Sequence, residues 1–330
     1  MMAASRFGYL CTAFLILSGC HVQHRPVEEN SRIVVGALPS DSEILIPGSG
    51  IRVHPLAGIA APTVKVRLPH QNDSDPGVQI ELPESVLAQL DGGGAEIELY
   101  GNHHTSNEPP VWRILDDAIE YSMELGEFGK MDVRAAAEPD GLRLSYVLTN
   151  RSEEDYAWVL PATCVRLYSS FEDHYLERTY VHHRNGFELL ASETPERLEM
   201  TLDEWYPCRY RAFHAWGWPN GKKLRIEKGG LVSYTKSRPI DRPFLATRSK
   251  DRKWVIATHT KDAGSVWTNP KRTCQHADPT VALKSGQTKI LELKVFVLAG
   301  GLEDLLERVD AEANRGYAST NDLNRSKGKQ

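Results

Sequence analysis

This sequence has no GxxxxGK[ST] phosphate loop, no GxGxxG dinucleotide fingerprint, no GxSxG elbow and no HExxH pair. Nucleotide-dependent, lipase-like and zincin chemistries therefore lack the residues that usually carry them. Basic residues do not dominate either. With 39 Lys and Arg against 44 Asp and Glu, the net charge is -5, so the chain lacks the blanket positive field of a general nucleic-acid binder. No nucleic-acid partner is expected. Beyond residue 20 there is no long hydrophobic run, which argues against a polytopic membrane protein. The 25 Gly and 19 Pro among 330 residues are close to average usage, so collagen-like and broadly disordered readings fail as well. Helical periodicity is scarce, and short β signals fill most of the chain.

The one sustained apolar run lies at the start. Arg6 precedes Phe7 to Leu17, a stretch of signal-core length that falls short of the roughly 20 residues needed to span a bilayer. It ends in Leu17-Ser18-Gly19-Cys20. That tetrad resembles the lipobox of bacterial lipoproteins. The resemblance implies cleavage before Cys20 and acylation of its sulfur and new N-terminus, which would moor the chain in the lipid bilayer without a crossing helix. His21 follows, not the Asp that retains some Gram-negative lipoproteins at the inner membrane, so a cell-envelope address at the outer membrane is favoured.

The expected organisation is a signal peptide over 1–19, a polar tether over 20–32, an N-terminal β-rich unit over 33–108, a main β domain over 109–313 and a polar tail over 314–330. Leu142, Leu144, Tyr146 and Leu148 alternate with Arg143, Ser145, Val147 and Thr149, which predicts a half-buried strand. Pro139-Asp140-Gly141 supplies the turn before it. A short helix is expected from Pro83 to about Leu90, stopped by Asp91-Gly92-Gly93-Gly94, and a strand from Leu198 to Leu202. Leu302, Leu305, Leu306 and Val309 form one apolar stripe, predicting a short C-terminal helix. Many short strands joined by turns predict a mainly β fold, an antiparallel β-sandwich. The run DGLRLSYVLTN at 140–150, the long antiparallel segments after it and the late SGQTKILELKVFVL hairpin resemble the carbohydrate-active β-sandwiches of the galactose mutarotase-like type. The likeness covers roughly Trp112 to Val309 and implies a supersandwich fold. The mutarotase family's catalytic His and Glu find no matching context here, so the resemblance does not carry epimerase chemistry.

Three clusters could carry function. In the first, Trp267-Thr268-Asn269-Pro270 leads into Cys274, His276 and Asp278, which would share one face of an extended strand. Thiolate, imidazole and carboxylate are competent ligands for a divalent metal such as zinc. A polar loop with His276 and Asp278 bonded to backbone is one alternative, and a ligand-binding or catalytic loop without metal, using Asn269, His276 and Asp278, is the other. No other cofactor is implied. In the second, Arg178, Tyr180 and His182 would line one strand face, equipment for gripping and deprotonating an anionic sugar as a lyase does; an ordinary polar face is the alternative. The third is aromatic: Trp205, Trp216 and Trp218 could form a stacking platform for sugar rings or could simply fill the core. In the enzymatic reading, His182, or His214 among these aromatics, is the base, Tyr180 the acid and Arg178 the charge neutraliser.

Of the five cysteines, Cys11 leaves with the signal and Cys20 is lipidated, leaving Cys164, Cys208 and Cys274. One disulfide with one thiol left over is plausible outside the cytoplasm, and Cys164–Cys274 is favoured among the three pairings only by its strand-rich surroundings. The function expected from all this is that of a lipid-anchored envelope protein that binds or processes carbohydrate. The competing readings are a lyase- or epimerase-like enzyme and a structural lipoprotein with a protein partner.

Overall fold

The structure is a computed structural model, which describes residues 32–34, 43–56, 61–102, 110–214, 225–228 and 230–314. Among these residues the chain is mainly antiparallel β. A ten-stranded sheet runs in the order Arg32–Val34, Trp112–Ile114, Ala118–Glu124, Gly129–Glu138, Gly141–Asn150, Thr288–Ala299, Trp254–His259, Arg242–Arg248, Thr179–His183 and Gly186–Leu189. A second, eight-stranded sheet is built on the long neighbours Val78–Leu90 and Tyr156–Leu167, with Ile44–Leu45, Arg52–Pro55 and Thr63–Arg67 on one side and Cys274–Gln275 on the other. A third sheet joins Arg225–Lys228, Leu231–Thr235, Cys208–Phe213 and Ser265–Thr268.

Strand alternation decides which face of each sheet is dry. Leu142, Leu144, Tyr146 and Leu148 are fully buried and meet Val159, Val165 and Ile80 of the second sheet in one core. Each such aliphatic side chain contributes roughly 1.5–3 kcal/mol by leaving water. Polar cross-ties fix how the two sheets sit. Tyr146 Oη bonds Thr163 Oγ1 at 2.5 Å, while Gln275 accepts from Thr258 at 2.9 Å and donates to Thr247 at 2.9 Å. The intervening residues face outward from the large sheet. His259 lies opposite Lys294 and Lys294 opposite Arg143; two residues along, Glu292 lies opposite Ser145 and Ser145 opposite Arg134.

The C-terminal helix Leu302–Asn314 covers part of that outer face. Its apolar stripe packs Leu305 and Val309 on Phe244, Ala257 and Phe296. Beyond the stripe, Arg143 reaches Glu312 with Nη1 at 2.7 Å and Nη2 at 3.0 Å, and Arg242 Nε donates to Asp310 at 2.8 Å. Burial opposes charge on Glu138, but hydrogen bonds from Arg143 and Lys294 outweigh it and hold its carboxyl at about 2.

Two local expectations are corrected. Pro83 to Leu90 is strand, not helix, because this half of Val78–Leu90 lies between Ile97–Gly101 and Tyr156–Leu167 and pairing on both sides overrides the local helix signal. Pro83 is tolerated because the pairing jumps there, from Glu81↔Cys164 to Ser85↔Ala162. Leu198 to Leu202 is not a strand. A 3-10 turn at Pro195–Leu198 leads into a helical turn, Leu202–Trp205, started by a capping box in which Thr201 and Glu204 bond each other's backbone. The strands from Ile44 to Gly101 share a sheet and a core with Tyr156–Leu167.

Candidate functional site

A cleft of about 510 Å³ opens where the outer face of the large sheet, the C-terminal helix and the edge of the third sheet meet. Arg242 and Pro243 begin one sheet strand, and His259 ends its neighbour with Lys261 just beyond; Asp310 and Ala313 come from the helix. His214 is brought in by a bridge to Ile240, with Ile240 N–H donating to Phe213 O at 2.8 Å. Asp241 follows directly, and its carboxylate orients His182 from the adjoining strand. Because a carboxylate only accepts, His182 carries its proton on Nδ1 and donates it to Asp241 Oδ1 at 2.7 Å. Nε2 is then the basic nitrogen. Phe187, edge-on at 4.9 Å, packs against the same ring.

The lining is mixed in sign: Arg242 and Lys261, Asp241 and Asp310, and two imidazoles. His259 is 3% exposed, and burial is the main cause that depresses its pKa to about 4, so at neutral pH it is uncharged. The cleft thus offers donors and acceptors in balance and no concentrated charge of one sign. Such a lining suits a neutral, polyhydroxylated ligand better than a polyanion.

No protein-family model matches the sequence, and no curated protein does. Solved structures do resemble it. The Slr1438 protein of Synechocystis sp. PCC 6803 shares 11% identity over 80% of this chain and 98% of its own, with a TM-score of 0.44. A galactose mutarotase related enzyme from Lactobacillus acidophilus shares 10% over 76% of this chain and 98% of its own, at 0.42. A galactose mutarotase-like protein from Lactobacillus casei shares 11% over 67% and 85%, at 0.36. All three scores fall below 0.5, so the case for a function rests on this chain's own residues.

Of the residues singled out in the sequence, His214 lines the cleft and His182 stands behind it through Asp241. Arg178 is elsewhere. Its guanidinium donates to the carbonyls of Arg248, at 2.6 Å, and Glu172, and it sits beside Asp173. It is committed to backbone, which removes the charge neutraliser that a uronate lyase needs. Tyr180, half-buried between Leu189 and Ala246 on neighbouring strands, does not line the cleft. Trp205 is fully buried with its Nε1 donating to His174 O at 2.7 Å, so it presents no face to a sugar. Trp216, Trp218 and Cys20 lie outside the described residues. Asn269 Oδ1 closes a turn by accepting from Lys271 N–H at 3.0 Å. His276 and Asp278 lie on the second sheet's far side. Asp278 accepts from Thr163 N–H at 3.0 Å and from Trp267 Nε1 at 3.3 Å, so it is no strand-face partner of Cys274.

Asp241, Arg242, His259, Lys261 and Asp310 went unnoticed in the sequence. Only the placement of His259 and Lys261 where an apolar strand, Val255 to Thr258, gives out could have drawn attention to them. A second concavity of about 830 Å³ lies along the same outer face, around Trp112, Arg134 and Glu292. Its charges largely answer one another across strands, as in Glu120 with Arg113 and Arg134. Half-buried Glu292, raised above the ordinary carboxyl value by desolvation, lines that groove, and Thr260, between His259 and Lys261 of the cleft, donates its Oγ1 to the Glu292 carbonyl at 2.7 Å, so the two concavities lie close together.

Proposed function

We propose that this chain is a lipid-anchored protein of the cell envelope that binds carbohydrate, with a neutral saccharide seated in the cleft formed by His214, Asp241, Arg242, His259, Lys261 and Asp310. The observation that carries the proposal is the cleft itself. Its volume of about 510 Å³ falls in the range of small-ligand sites, and polar groups of both signs converge on it from three elements. Sugar hydroxyls both donate and accept, and this lining answers both. The adjoining groove gives room for further residues of a longer glycan. Anchoring rests on Leu17-Ser18-Gly19-Cys20, and His21 favours the outer membrane of a two-membrane envelope.

A second reading is supported by one observation, the 2.7 Å bond from His182 to Asp241. A His oriented by Asp is equipped for proton transfer at a sugar oxygen, the chemistry that an epimerase-like enzyme uses.

The binding proposal is tested with the soluble chain beginning at His21 on a broad immobilised glycan panel. Retention of at least one neutral glycan is expected, falling at least tenfold for Arg242→Ala, whose exposed pair with Asp310 adds little to stability. Uniform silence across the panel, or retention that Arg242→Ala leaves unchanged, refutes it. Catalysis is tested by following anomer exchange of the retained sugar by NMR; acceleration that His182→Ala abolishes would establish it. In cells, Cys20→Ser should block palmitate incorporation, and unaltered fractionation of that variant would refute the anchor.

A further inference from the structure

Where Trp267 of the third sheet bridges His276 beside the second lies a cluster that carbohydrate binding does not use. The register Val165↔Gln275 and Arg166↔Cys274 sets His276 opposite Cys164, while Cys164 lies opposite Glu81 on its other side. Cys164, Cys274 and His276 are each at least 98% buried, and one ligand atom from each lies within 4.8 Å of the other two. Trp267 stacks on the imidazole at 3.8 Å and seals it. Neither ring nitrogen of His276 has a hydrogen-bond partner, although the residue is 1% exposed. Leaving even one such nitrogen desolvated and unpaired costs on the order of 1–3 kcal/mol, so the arrangement lacks a partner for the ring.

Glu84 completes the set. Its Oε1 accepts from Arg272 at 2.8 Å, leaving Oε2 3.8 Å from His276 Nε2. Glu81 is already engaged by Arg166 and by Asn102 at 2.6 Å. On the other edge of the ring, Nδ1 lies 3.6 Å from Asp278 Oδ2.

We infer that Cys164, Cys274, His276 Nε2 and Glu84 form a structural site for a divalent metal of borderline softness, zinc above all, with Asp278 orienting the imidazole through Nδ1. Ligand–zinc bonds of about 2.0–2.3 Å put tetrahedral ligands about 3.3–3.8 Å apart. Cys164, Cys274 and His276, within 4.8 Å of one another, need to close by about 1 Å, and Glu84 Oε2 stands 3.8 Å from His276 Nε2. A carboxylate behind a ligating His is the usual way that ring is held. Four protein ligands leave no open position, which makes the site structural, not catalytic. The set differs from the one expected in the sequence: Cys164 and Glu84, brought in by strand pairing, take the place of Asp278.

The test uses the chain from His21 purified under reducing conditions without chelator. About one zinc per chain is expected by elemental analysis, and exchange with cobalt should give thiolate-to-cobalt charge-transfer absorption in the near ultraviolet. Cys274→Ser should abolish that band, Asp278→Asn should weaken retention against a chelator about tenfold, and Cys208→Ser should change neither. Should Cys274→Ser fail to fold, the wild-type cobalt spectrum decides alone. Substoichiometric metal with no charge-transfer band overturns the inference. So does a Cys164–Cys274 disulfide recovered from freshly isolated protein.

Discussion

His259 should make the protein acid-sensitive, and the size of the effect follows from its burial. The imidazole is 3% exposed, tilted against Phe296 at 6.2 Å, and held at about 4, chiefly by desolvation. In the unfolded chain the same group titrates near 6.5. Between those values the unfolded state binds more protons than the native one, so stability is fully present above about pH 6.5 and is lost as pH falls toward 4. At one pK unit per 1.36 kcal/mol, the loss attributable to His259 is about 2 kcal/mol between pH 7 and pH 5, and about 3 kcal/mol once both states are protonated. Urea unfolding of the wild type and His259→Gln at pH 7, 6 and 5 isolates it. Whatever the substitution costs at pH 7, the wild type should lose about 2 kcal/mol more than the variant on going to pH 5. Parallel pH dependence of the two proteins would refute the reasoning, since it would mean that His259 protonates in the native state as easily as in the unfolded one.

The helix wall of the cleft should depend on its ion pairs. Glu312→Ala removes the carboxylate that Arg143 grips through two hydrogen bonds, and a loss of about 2–3 kcal/mol by urea unfolding is expected, with faster proteolysis near Gly301. A variant as stable as the wild type would show that the apolar stripe alone docks the helix. Gly141 occupies φ +145, and a Cβ there would lie 2.0 Å from Val295 O at the centre of the large sheet. Gly141→Ala should therefore cost about 3 kcal/mol or more and leave little folded protein by circular dichroism; near-normal stability would contradict the strand pairing described.

The architecture was legible wherever one side of a strand is wet. The alternation at 141–150 and the stripe Leu302, Leu305, Leu306, Val309 translate directly into buried and exposed faces, and both elements are present where expected. The signal failed at Pro83 to Leu90, the second half of a central strand that buries Val86 and Ala88 but carries in its middle a proline that reads locally as a helix start. It failed again at Leu198 to Leu202, where Met200 packs against the core from a turn while Leu198 is exposed. The site was harder to read. His182 was visible on a polar strand face and His214 among aromatic residues, but Asp241, His259 and Asp310 come together only through pairing of the large sheet and docking of a helix some 50 residues later. Cys164 and His276, likewise, are brought together by a register that no local pattern encodes.

The most direct measurement of the central claim is hydrogen–deuterium exchange of the His21 chain with and without the glycan it retains. Protection is expected at 238–243, 259–262 and 306–313, three of the segments that wall the cleft. Protection confined to the groove around Trp112 and Arg134, or no protection anywhere under saturating glycan, would contradict it.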